Sequence, residues 1–296
     1  MSKGTVLLLK DKASIEQDKT EQSTTYDISD STQIPDEYET KLASLSYTSI
    51  FLPVLSYVFV NIEELTKILK NGPEKKYWGI VVTSQKAVKG LKLAWNNAFN
   101  NVTEVDSLNK EKALWENLPF FVVGKATSKA TDGLNFNALG LNSGNSESLA
   151  EYIIQFHNQN NTQNFHQNSL PLLFLTGDKR LDKLPTRLSQ AGIKLEELLV
   201  YETRPDENFS TELENIVKKN RKIDWIVFFS PSGVDVAWKS LTKLNLWKTV
   251  KIACIGKTTG NYLEKCDIKV HVISPKPEPE SLACSINEYV TRNNNK

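Results

Sequence analysis

Two apolar segments of the sequence end in the same kind of turn and then continue into an amphipathic pattern. Trp78–Val88 reads WGIVVTSQKAV, and Trp225–Asp235 reads WIVFFSPSGVD. Each begins with bulky or β-branched residues that favour a buried strand, and then places hydroxyl residues where a helix begins. Strand, hydroxyl turn and helix in this order predict one unit of a parallel α/β sheet, and the chain contains that unit twice.

Two further signals repeat in the same order after these segments. Strand-like runs lead into Gly-Lys-x-Thr turns in Phe120–Ala130 (FFVVGKATSKA) and in Lys251–Leu263 (KIACIGKTTGNYL). The tetrapeptide ESLA then opens an amphipathic pattern at Glu147, 23 positions after the first such turn, and at Glu280, 24 positions after the second. Three matched signals in one order predict an internal duplication.

Two further strands complete each copy, but their place in the chain differs between the copies. Val6–Asp11 resembles Leu172–Asp178, and Ile50–Leu55 resembles Glu197–Thr203. In one copy these strands precede the three repeated signals, and in the other they follow the ESLA segment. The sequence therefore predicts two copies of one fold that are related by a permutation.

The simplest chain path places one copy inside the other. We expect a continuous domain at residues 57–198, inserted into a discontinuous domain made of residues 1–52 and 204–296, with crossings near 52–56 and 200–204. Apolar strands that alternate with amphipathic helices predict an α/β fold with parallel sheets covered on both faces. About five strands in each domain favour the flavodoxin-like, doubly wound order.

Charge and hydropathy narrow the classes of partner. The chain has 36 Lys and Arg residues against 35 Asp and Glu, so its net charge of +1 gives no field directed at nucleic acid or a membrane surface. The N-terminal apolar run is too short for a signal peptide, and the most apolar window, Ile50–Val60, is too short to span a bilayer. We therefore expect a cytoplasmic protein with neither a nucleic-acid nor a membrane partner.

Cysteine and histidine show no pattern of a reactive or metal site. The three cysteines, Cys254, Cys266 and Cys284, form no CxxC pair, and the three histidines are scattered. The sequence therefore predicts neither a metal site nor a Ser-His-Asp triad, and the strand ends carry no paired carboxylates. The cysteine usage fits a reducing compartment, and we expect Cys254, inside a predicted strand, to be a buried thiol.

The four repeated turns are candidate anion-binding sites. In doubly wound sheets ligands bind beyond the carboxyl ends of the strands, where each turn opens a helix whose first N–H groups lack partners. We expect the turns to face a cleft between the domains and to bind a multiply anionic molecule. Capping of the helices also explains the hydroxyls, because Ser and Thr are preferred N-caps. The candidate groups are the hydroxyls of Thr83, Ser84, Ser230 and Ser232, the backbone at Gly124 and Gly256, and the cations of Lys86, Lys125 and Lys257.

Taken together, these segments resemble the uroporphyrinogen-III synthase family. The likeness rests on VVTSQKAV, VVGKAT, the long segment Leu172–Thr203, FFSPSGV and IACIGKTT, and it spans nearly the whole chain. Asp11–Ser46, predicted as one helix and a loop, and Asn158–Ser169, predicted as a surface loop, are longer than the family pattern. The resemblance implies two domains joined by a two-stranded connector, a monomer, and a reaction without a cofactor.

The resemblance also implies the substrate and the reaction. Linear hydroxymethylbilane, which carries eight carboxylates, loses its ring-A hydroxyl as water and leaves an electrophilic azafulvene. Ring D attacks through its substituted carbon to give a spiro intermediate, and reopening and reclosure yield uroporphyrinogen III with ring D inverted. Without enzyme this substrate closes to the uninverted isomer, so the protein must direct regiochemistry as well as rate.

Site residues follow from the same resemblance. Tyr201, in VYET, matches the family's tyrosine and is a candidate proton donor to the departing hydroxyl, and simple packing with a satisfied hydroxyl is the alternative. Lys179 and Arg180 are candidate carboxylate ligands after the LLFLTG strand. The complete set of candidate substrate-binding residues is Lys10, Thr83, Ser84, Lys86, Gly124, Lys125, Thr127, Gly177, Lys179, Arg180, Ser230, Ser232, Gly256, Thr258 and Thr259.

Two other functions share parts of this pattern. A non-enzymatic two-domain binding protein for a small polyanionic ligand would have the same helix N-termini, but the sequence shows no export signal. A nucleotide-sugar-dependent transferase would need a nucleotide-binding turn, and neither Gly-Lys-x-Thr turn has the upstream Gly of a P-loop. Formation of the type III isomer from hydroxymethylbilane separates all three functions.

Overall fold

The computed structural model describes residues 2–12, 36–100, 105–160, 170–179, 183–219 and 222–294. The chain divides into two compact units, which we call unit 1 (residues 1–56 and 205–296) and unit 2 (residues 57–204). Each unit is built on a sheet of its own. Strands and helices are numbered in chain order across both units.

The described residues of unit 1 form a five-stranded sheet with the order β2-β1-β9-β10-β11, in which all neighbouring strands are parallel. These strands are Gly4–Leu8 (β1), Tyr47–Phe51 (β2), Trp225–Phe228 (β9), Lys251–Ile255 (β10) and Val272–Ser274 (β11). The helices are Glu37–Ser44 (α1), Phe209–Lys218 (α8), Pro231–Lys243 (α9), Gly256–Lys265 (α10) and Pro279–Asn294 (α11), with a short 3-10 helix at Leu246–Lys248.

The described residues of unit 2 form a six-stranded sheet with the order β3-β8-β7-β4-β5-β6. The pairs β7–β8, β4–β7, β4–β5 and β5–β6 are parallel. These strands are Leu55–Phe59 (β3), Gly79–Val82 (β4), Phe120–Val122 (β5), Ala138–Leu139 (β6), Leu172–Gly177 (β7) and Leu195–Pro205 (β8). The helices are Ile62–Lys70 (α2), Gln85–Phe99 (α3), Val105–Glu116 (α4), Gly124–Lys129 (α5), Ser146–Asn160 (α6) and Lys183–Gln190 (α7).

The two sheets have the same strand order once the permutation is taken into account. Counted in chain order, the strands of unit 1 follow the flavodoxin-like order 2-1-3-4-5. Unit 2 follows that order when counting starts at β7, passes to β8 and then returns to β4, β5 and β6. The remaining strand, β3, is added at the edge beside β8. The predicted doubly wound α/β fold and its permuted duplication are therefore confirmed.

Apolar side chains cover both faces of each sheet. In β1, Val6 and Leu8 belong to one buried cluster and Leu7 to another, because alternate residues of a strand point to opposite faces. Ile80 and Val81 in β4 divide between two clusters in the same way. Each of these four clusters draws its members from one unit. Such two-sided burial explains why the central strands are apolar without interruption.

The chain passes from one unit to the other within two neighbouring strands. The division falls after residue 56, inside β3, and after residue 204, inside β8, and these strands lie side by side in the second sheet. The Val60 N–H donates a hydrogen bond to the Val200 carbonyl at 3.1 Å. The pairing brings the residues of β3 next to the strand that carries Tyr201.

The structure tests three further predicted segments, of which one is confirmed and two differ in detail. The single strand predicted at Ile50–Leu55 is wrong, since β2 ends at Phe51 and β3 begins at Leu55. Pro53 lies between them and has no N–H to donate to a sheet. The helix predicted within residues 11–46 is confirmed as α1, while residues 13–35 lie outside the described residues. Of the predicted loop 158–169, residues 158–160 continue α6, which no Gly or Pro interrupts, and 161–169 lie outside the described residues.

Within the described part of the chain, no helix combines the length and the apolar character that crossing a membrane requires.

Candidate functional site

The two hydroxyl turns have the same local structure in both units. Ser84 precedes α3 with an extended backbone, and its Oγ accepts a hydrogen bond from the backbone N–H three residues on at 3.1 Å. Ser230 precedes α9 in the same way, and its Oγ accepts from the N–H three residues on, also at 3.1 Å. Both serines therefore cap the helices that follow. Thr83 and Ser232 beside them are half-buried, and Ser232 Oγ lies 3.2 Å from Ser230 Oγ.

The two Gly-Lys-x-Thr turns also match. Gly124 and Gly256 begin α5 and α10 with φ of +79° and +71°, in the left-handed region that residues with a side chain rarely adopt. They follow Val123 and Ile255, whose apolar side chains make no cap hydrogen bond. No side chain of the described part of the chain caps these helices, so their first N–H groups are open to water or a ligand.

The side chains of these two turns divide between interior and surface. Thr127 and Thr259 are buried, with 5% and 2% of their surface exposed. Lys125 and Thr258 are exposed. Because the fourth residue is buried in both copies, it is an interior position of the turn. The outward groups of the turns are the backbone N–H groups, the lysine and Thr258.

Lys10 is engaged in an ion pair within unit 1. Its Nζ lies 2.8 Å from Oδ2 of Asp36, a carboxylate whose side chain is 2% exposed and which also caps α1. The ammonium lies 5.0 Å from the centre of the Tyr38 ring and 5.3 Å from that of Phe51. The charge that the sequence assigned to a substrate carboxylate is therefore already paired with a structural carboxylate.

Tyr201 lies directly against the backbone of Gly177. The two residues are partners in β8 and β7, where the register shifts by a bulge. A Cβ at Gly177 would lie 2.2 Å from Cζ and 2.6 Å from the hydroxyl oxygen of Tyr201, so only glycine leaves room for the ring. Asp178 holds this edge together, since its N–H donates to the Tyr201 carbonyl at 3.3 Å and its Oδ1 accepts from the Thr203 N–H at 2.9 Å. None of the residues that the structure describes hydrogen bonds to the Tyr201 hydroxyl.

Lys86 and Tyr57 complete a group that we call the Tyr201 cluster (Tyr57, Lys86, Gly177 and Tyr201). The Lys86 Nζ lies 4.6 Å from the centre of the Tyr57 ring and 6.0 Å from that of the Tyr201 ring, within the range of cation–π interactions. The structure thus brings together three of the residues that the sequence predicted. It also adds Tyr57, which sequence reasoning missed because an aromatic residue in a short apolar strand is more often part of the core.

The remaining candidates lie at other strand ends or outside the described residues. Lys179 is exposed two residues after the end of β7, and Arg180 lies outside the described residues. In unit 1 the Tyr262 hydroxyl donates to the Asp235 carboxylate and thereby links α10 to α9. That hydrogen bond is the main cause that raises the pKa of Tyr262 to about 12.

Cys254 is a buried thiol, as the sequence predicted. It is fully buried in β10, and burial raises its pKa to about 11. A thiol with such a pKa stays protonated at neutral pH and is a poor nucleophile. In the described ranges, no group of three His, Cys, Asp or Glu side chains is arranged to hold a metal ion.

Fold and turns together define a class of protein: a doubly wound α/β chain of two permuted copies, with helix N-termini at the carboxyl ends of its strands and a tyrosine seated on a strand-end glycine. The family model described as "Uroporphyrinogen-III synthase HemD" matches residues 36–284. The chain belongs to the uroporphyrinogen-III synthase family. The family resemblance inferred from the motifs is confirmed.

Relatives from two yeasts match over most of their length. The chain is 36% identical over 252 residues to the uroporphyrinogen-III synthase of Schizosaccharomyces pombe, which covers 85% of this chain and 91% of that one. It is 30% identical over 268 residues to the uroporphyrinogen-III synthase of Saccharomyces cerevisiae, and the match covers 86% of this chain and 92% of that one. A solved uroporphyrinogen-III synthetase from Helicobacter pylori matches with a TM-score of 0.51 at 14% identity, over 98% of this chain and 100% of that chain, and shares the fold.

Proposed function

We propose that this chain catalyses the cyclisation of hydroxymethylbilane to uroporphyrinogen III, as a cofactor-independent lyase of tetrapyrrole biosynthesis. The observation that carries the proposal is the 36% identity to the S. pombe synthase across 85% of this chain and 91% of the relative. Similarity over nearly the whole of both chains includes residues of both units rather than one shared domain, and the matched range 36–284 of the family model contains all four repeated turns.

The reaction places specific demands on the protein, and the described turns fit them. The substrate is flexible and carries eight carboxylates, so it needs many anion-binding groups rather than one strong acid or base. Helix N-termini supply oriented N–H groups and a partial positive charge without carrying a counter-charge of their own. We propose that the turns at Ser84 and Gly124 in unit 2 and at Ser230 and Gly256 in unit 1 bind substrate carboxylates. Holding the chain in one conformation before it cyclises unaided is catalysis by positioning.

We further propose that the compact units are two domains, with the second inserted in the first. The division after residues 56 and 204 supports the boundaries expected from the sequence. The four apolar clusters, each drawn from one unit, support separate cores.

Tyr201 is proposed as the proton donor. Its O–H bond breaks as the proton moves to the ring-A hydroxyl, and the carbon–oxygen bond then breaks with its electron pair on oxygen, so water leaves. The resulting azafulvenium keeps its pyrrole N–H. Ring D closes on it through its substituted carbon, and the spiro intermediate reopens and recloses through the free carbon. The proton lost from that carbon restores the phenol. The position of Tyr201 at the carboxyl end of the sheet, with a hydroxyl free of partners among the described residues, supports this role.

A single assay tests the function. Freshly prepared hydroxymethylbilane is added to the purified protein, and the oxidised products are resolved by chromatography into type I and type III isomers. We expect mainly type III product from the wild-type chain and mainly type I from the no-enzyme control. A product mixture equal to that control would overturn the synthase and leave a non-enzymatic binding protein as the explanation of the fold.

The role of Tyr201 is tested in the same assay. Tyr201→Phe keeps the ring against Gly177 and removes the proton, so kcat should fall about a hundredfold while the protein stays folded. Full turnover with an unchanged isomer ratio would remove the proton-donor role and leave the synthase activity standing.

We also propose that the protein acts in the cytoplasm as a monomer, with the small-molecule substrate as its partner. The balanced net charge of +1 supports the expectation that it does not bind nucleic acid or membranes. Light scattering of the purified chain and fractionation of cells test the oligomeric state and the compartment.

A further inference from the structure

The ring of Tyr57 holds a cation beside the tyrosine proposed as proton donor. Tyr57 lies in β3, which is the neighbour of β8, the strand that carries Tyr201. The Lys86 Nζ lies 4.6 Å from the centre of the Tyr57 ring and 6.0 Å from the centre of the Tyr201 ring. The shorter distance identifies the Tyr57 ring as the main contact of the ammonium, and the longer one places the charge within Coulomb range of Tyr201.

Local helix energetics do not explain a lysine at this position. Lys86 is the second residue of α3, whose first turn contains no acidic side chain. The helix dipole places partial positive charge at that end, so a cation there is unfavourable and an anion would be favoured. A residue that breaks a local preference in a well-packed element is often placed there for function.

The internal duplication provides a comparison within the same chain. The turn at Ser230 in unit 1 repeats the strand, cap and helix of the turn at Ser84, yet the residue equivalent to Lys86 is Ser232. Unit 1 also has no strand equivalent to β3 among its described residues. The strand–turn–helix unit therefore forms without this lysine and without this tyrosine, and the pair is specific to the copy that carries Tyr201.

The charge of Lys86 is not neutralised by a carboxylate of the described residues. The ion pairs of that part of the chain do not include it, and the side chain is half-buried rather than fully solvated. A partly desolvated cation without a counter-ion stabilises negative charge that develops close to it.

We propose that Tyr57 is a positioning residue, whose ring holds the Lys86 ammonium where it stabilises the negative charge left on the Tyr201 oxygen. This inference rests on the proposed function, in which the Tyr201 O–H bond breaks and the proton leaves with the ring-A hydroxyl as water. The charge then stays on the phenol oxygen until ring D returns a proton on reclosure. Lys86 itself keeps its protons throughout, and Tyr57 acts only through Lys86.

Substitutions at both residues test the coupling. Tyr57→Leu removes the ring and should lower kcat about tenfold with little change in KM, whereas Tyr57→Phe keeps the ring and should restore kcat to within about threefold of wild type. Lys86→Met should lower kcat to a similar extent, and Tyr57→Leu should then cause no further loss in the Lys86→Met background. Tyr152→Leu, at a half-buried tyrosine on α6 of the same unit, is the matched control and should leave kcat unchanged.

The possible outcomes separate the inference from the function it rests on. Type I product from the wild-type chain would overturn the function. Type III product from wild type, together with wild-type kcat in Tyr57→Leu or with losses that multiply in the double variant, would overturn the positioning role alone. If Tyr57→Leu fails to fold, Lys86→Arg decides, because an arginine also stacks on the ring and should keep most of the kcat that Lys86→Met loses. Equal losses of kcat in Lys86→Arg and Lys86→Met would contradict a role for a cation held by the Tyr57 ring.

Discussion

At the scale of single residues, Gly177 determines where the Tyr201 ring can lie. The Tyr201 ring occupies the space that a side chain at Gly177 would fill. A Cβ at Gly177 would lie 2.2 Å from Cζ and 2.6 Å from the hydroxyl oxygen of Tyr201. The atoms that a Cβ would meet belong to the far end of a side chain, which can turn away, rather than to backbone. A methyl group at Gly177 should therefore move Tyr201 without preventing the strand from forming.

Gly177→Ala is expected to lower activity as removal of the Tyr201 phenol does, although Tyr201 itself is still present. The displaced phenol no longer reaches the same point, so kcat should fall about 10- to 100-fold, as misplacement of a catalytic group by about 1 Å does. Steady-state kinetics with isomer analysis measure the effect. In a Tyr201→Ala background the ring is gone, so Gly177→Ala should add little further loss. Wild-type kcat in the Gly177→Ala single variant would show that the position of the ring is unimportant.

Sequence reasoning identified the candidate residues better than it identified their surroundings. The Gly-Lys-x-Thr turns are visible in the sequence, but burial of Thr127 and Thr259 depends on how each turn packs, which no local pattern shows. Lys10 is one of the candidate substrate-binding residues that the sequence predicts. Its partner Asp36 lies 26 positions away and the ion pair forms only in the folded unit. Residue type and strand end were therefore predictable, whereas partners distant in sequence were not.

At the scale of elements, the structure bears on two roles that the sequence left open for the hydroxyl turns, namely helix capping and substrate binding. Ser84 and Ser230 each accept a hydrogen bond from the first turn of their helix, so capping is established for both. Capping uses one lone pair of the hydroxyl and does not prevent donation of its proton to a ligand. A substitution that keeps the cap but changes the charge therefore tests substrate binding separately from stability.

Ser84→Asp and Ser84→Asn provide that test. Both replacements are good N-caps, so the free energy of unfolding should stay within about 0.5 kcal/mol of wild type, whereas Ser84→Ala should cost about 1 kcal/mol. Only the aspartate adds negative charge where we propose that a substrate carboxylate binds, so it should raise KM about tenfold while the asparagine control changes KM less than about twofold. Urea unfolding and steady-state kinetics measure the two quantities. Equal KM values for both variants would place the substrate elsewhere.

His271 is a second feature of local structure with a measurable consequence. It lies between β10 and β11, and its Nδ1 accepts a hydrogen bond from the Ile252 N–H at 3.0 Å. Burial, followed by the nearby charges of Lys269 and Lys251, lowers the pKa of His271 below its ordinary value of 6.5. Protonation of Nδ1 would remove the acceptor and add a charge beside two lysines, so the folded state favours the neutral ring.

The stability of unit 1 should consequently depend on pH through His271. A pKa that is lower in the folded state means that the unfolded chain binds the proton more readily, so the stabilisation is complete above pH 6.5 and is lost as pH falls through the folded pKa. Urea unfolding of wild type and His271→Phe between about pH 7.5 and 5.5 measures this, because His271→Phe removes only this titration. The free energy of unfolding of wild type should fall relative to that of His271→Phe as the pH falls. Parallel curves for the two proteins would contradict the role of His271.

At the scale of the whole molecule, the permuted duplication was the most predictable property of the chain. Each repeated signal is a strand, a turn and a helix that are adjacent in sequence, so the pattern survives in the linear order even though the copies start at different strands. Among the described residues, the added edge strand β3 has no counterpart in unit 1. Its pairing with β8 joins residues as distant in the sequence as Val60 and Val200, which are 140 positions apart. The contact between Tyr57 in β3 and Lys86 in α3 also joins separate elements, so no local sequence pattern predicts it.

The same architecture predicts that unit 2 folds without unit 1. A fragment of residues 55–205 contains the whole six-stranded sheet, helices α2–α7 and both apolar clusters of that unit, and such a core normally supports independent folding. We expect a single cooperative urea transition and a native-like circular dichroism spectrum from the fragment. It should produce only type I isomer, because the turns at Ser230 and Gly256 are absent. A fragment without a cooperative transition would show that the two units are not separate domains, and type III product from it would show that unit 1 does not bind the substrate.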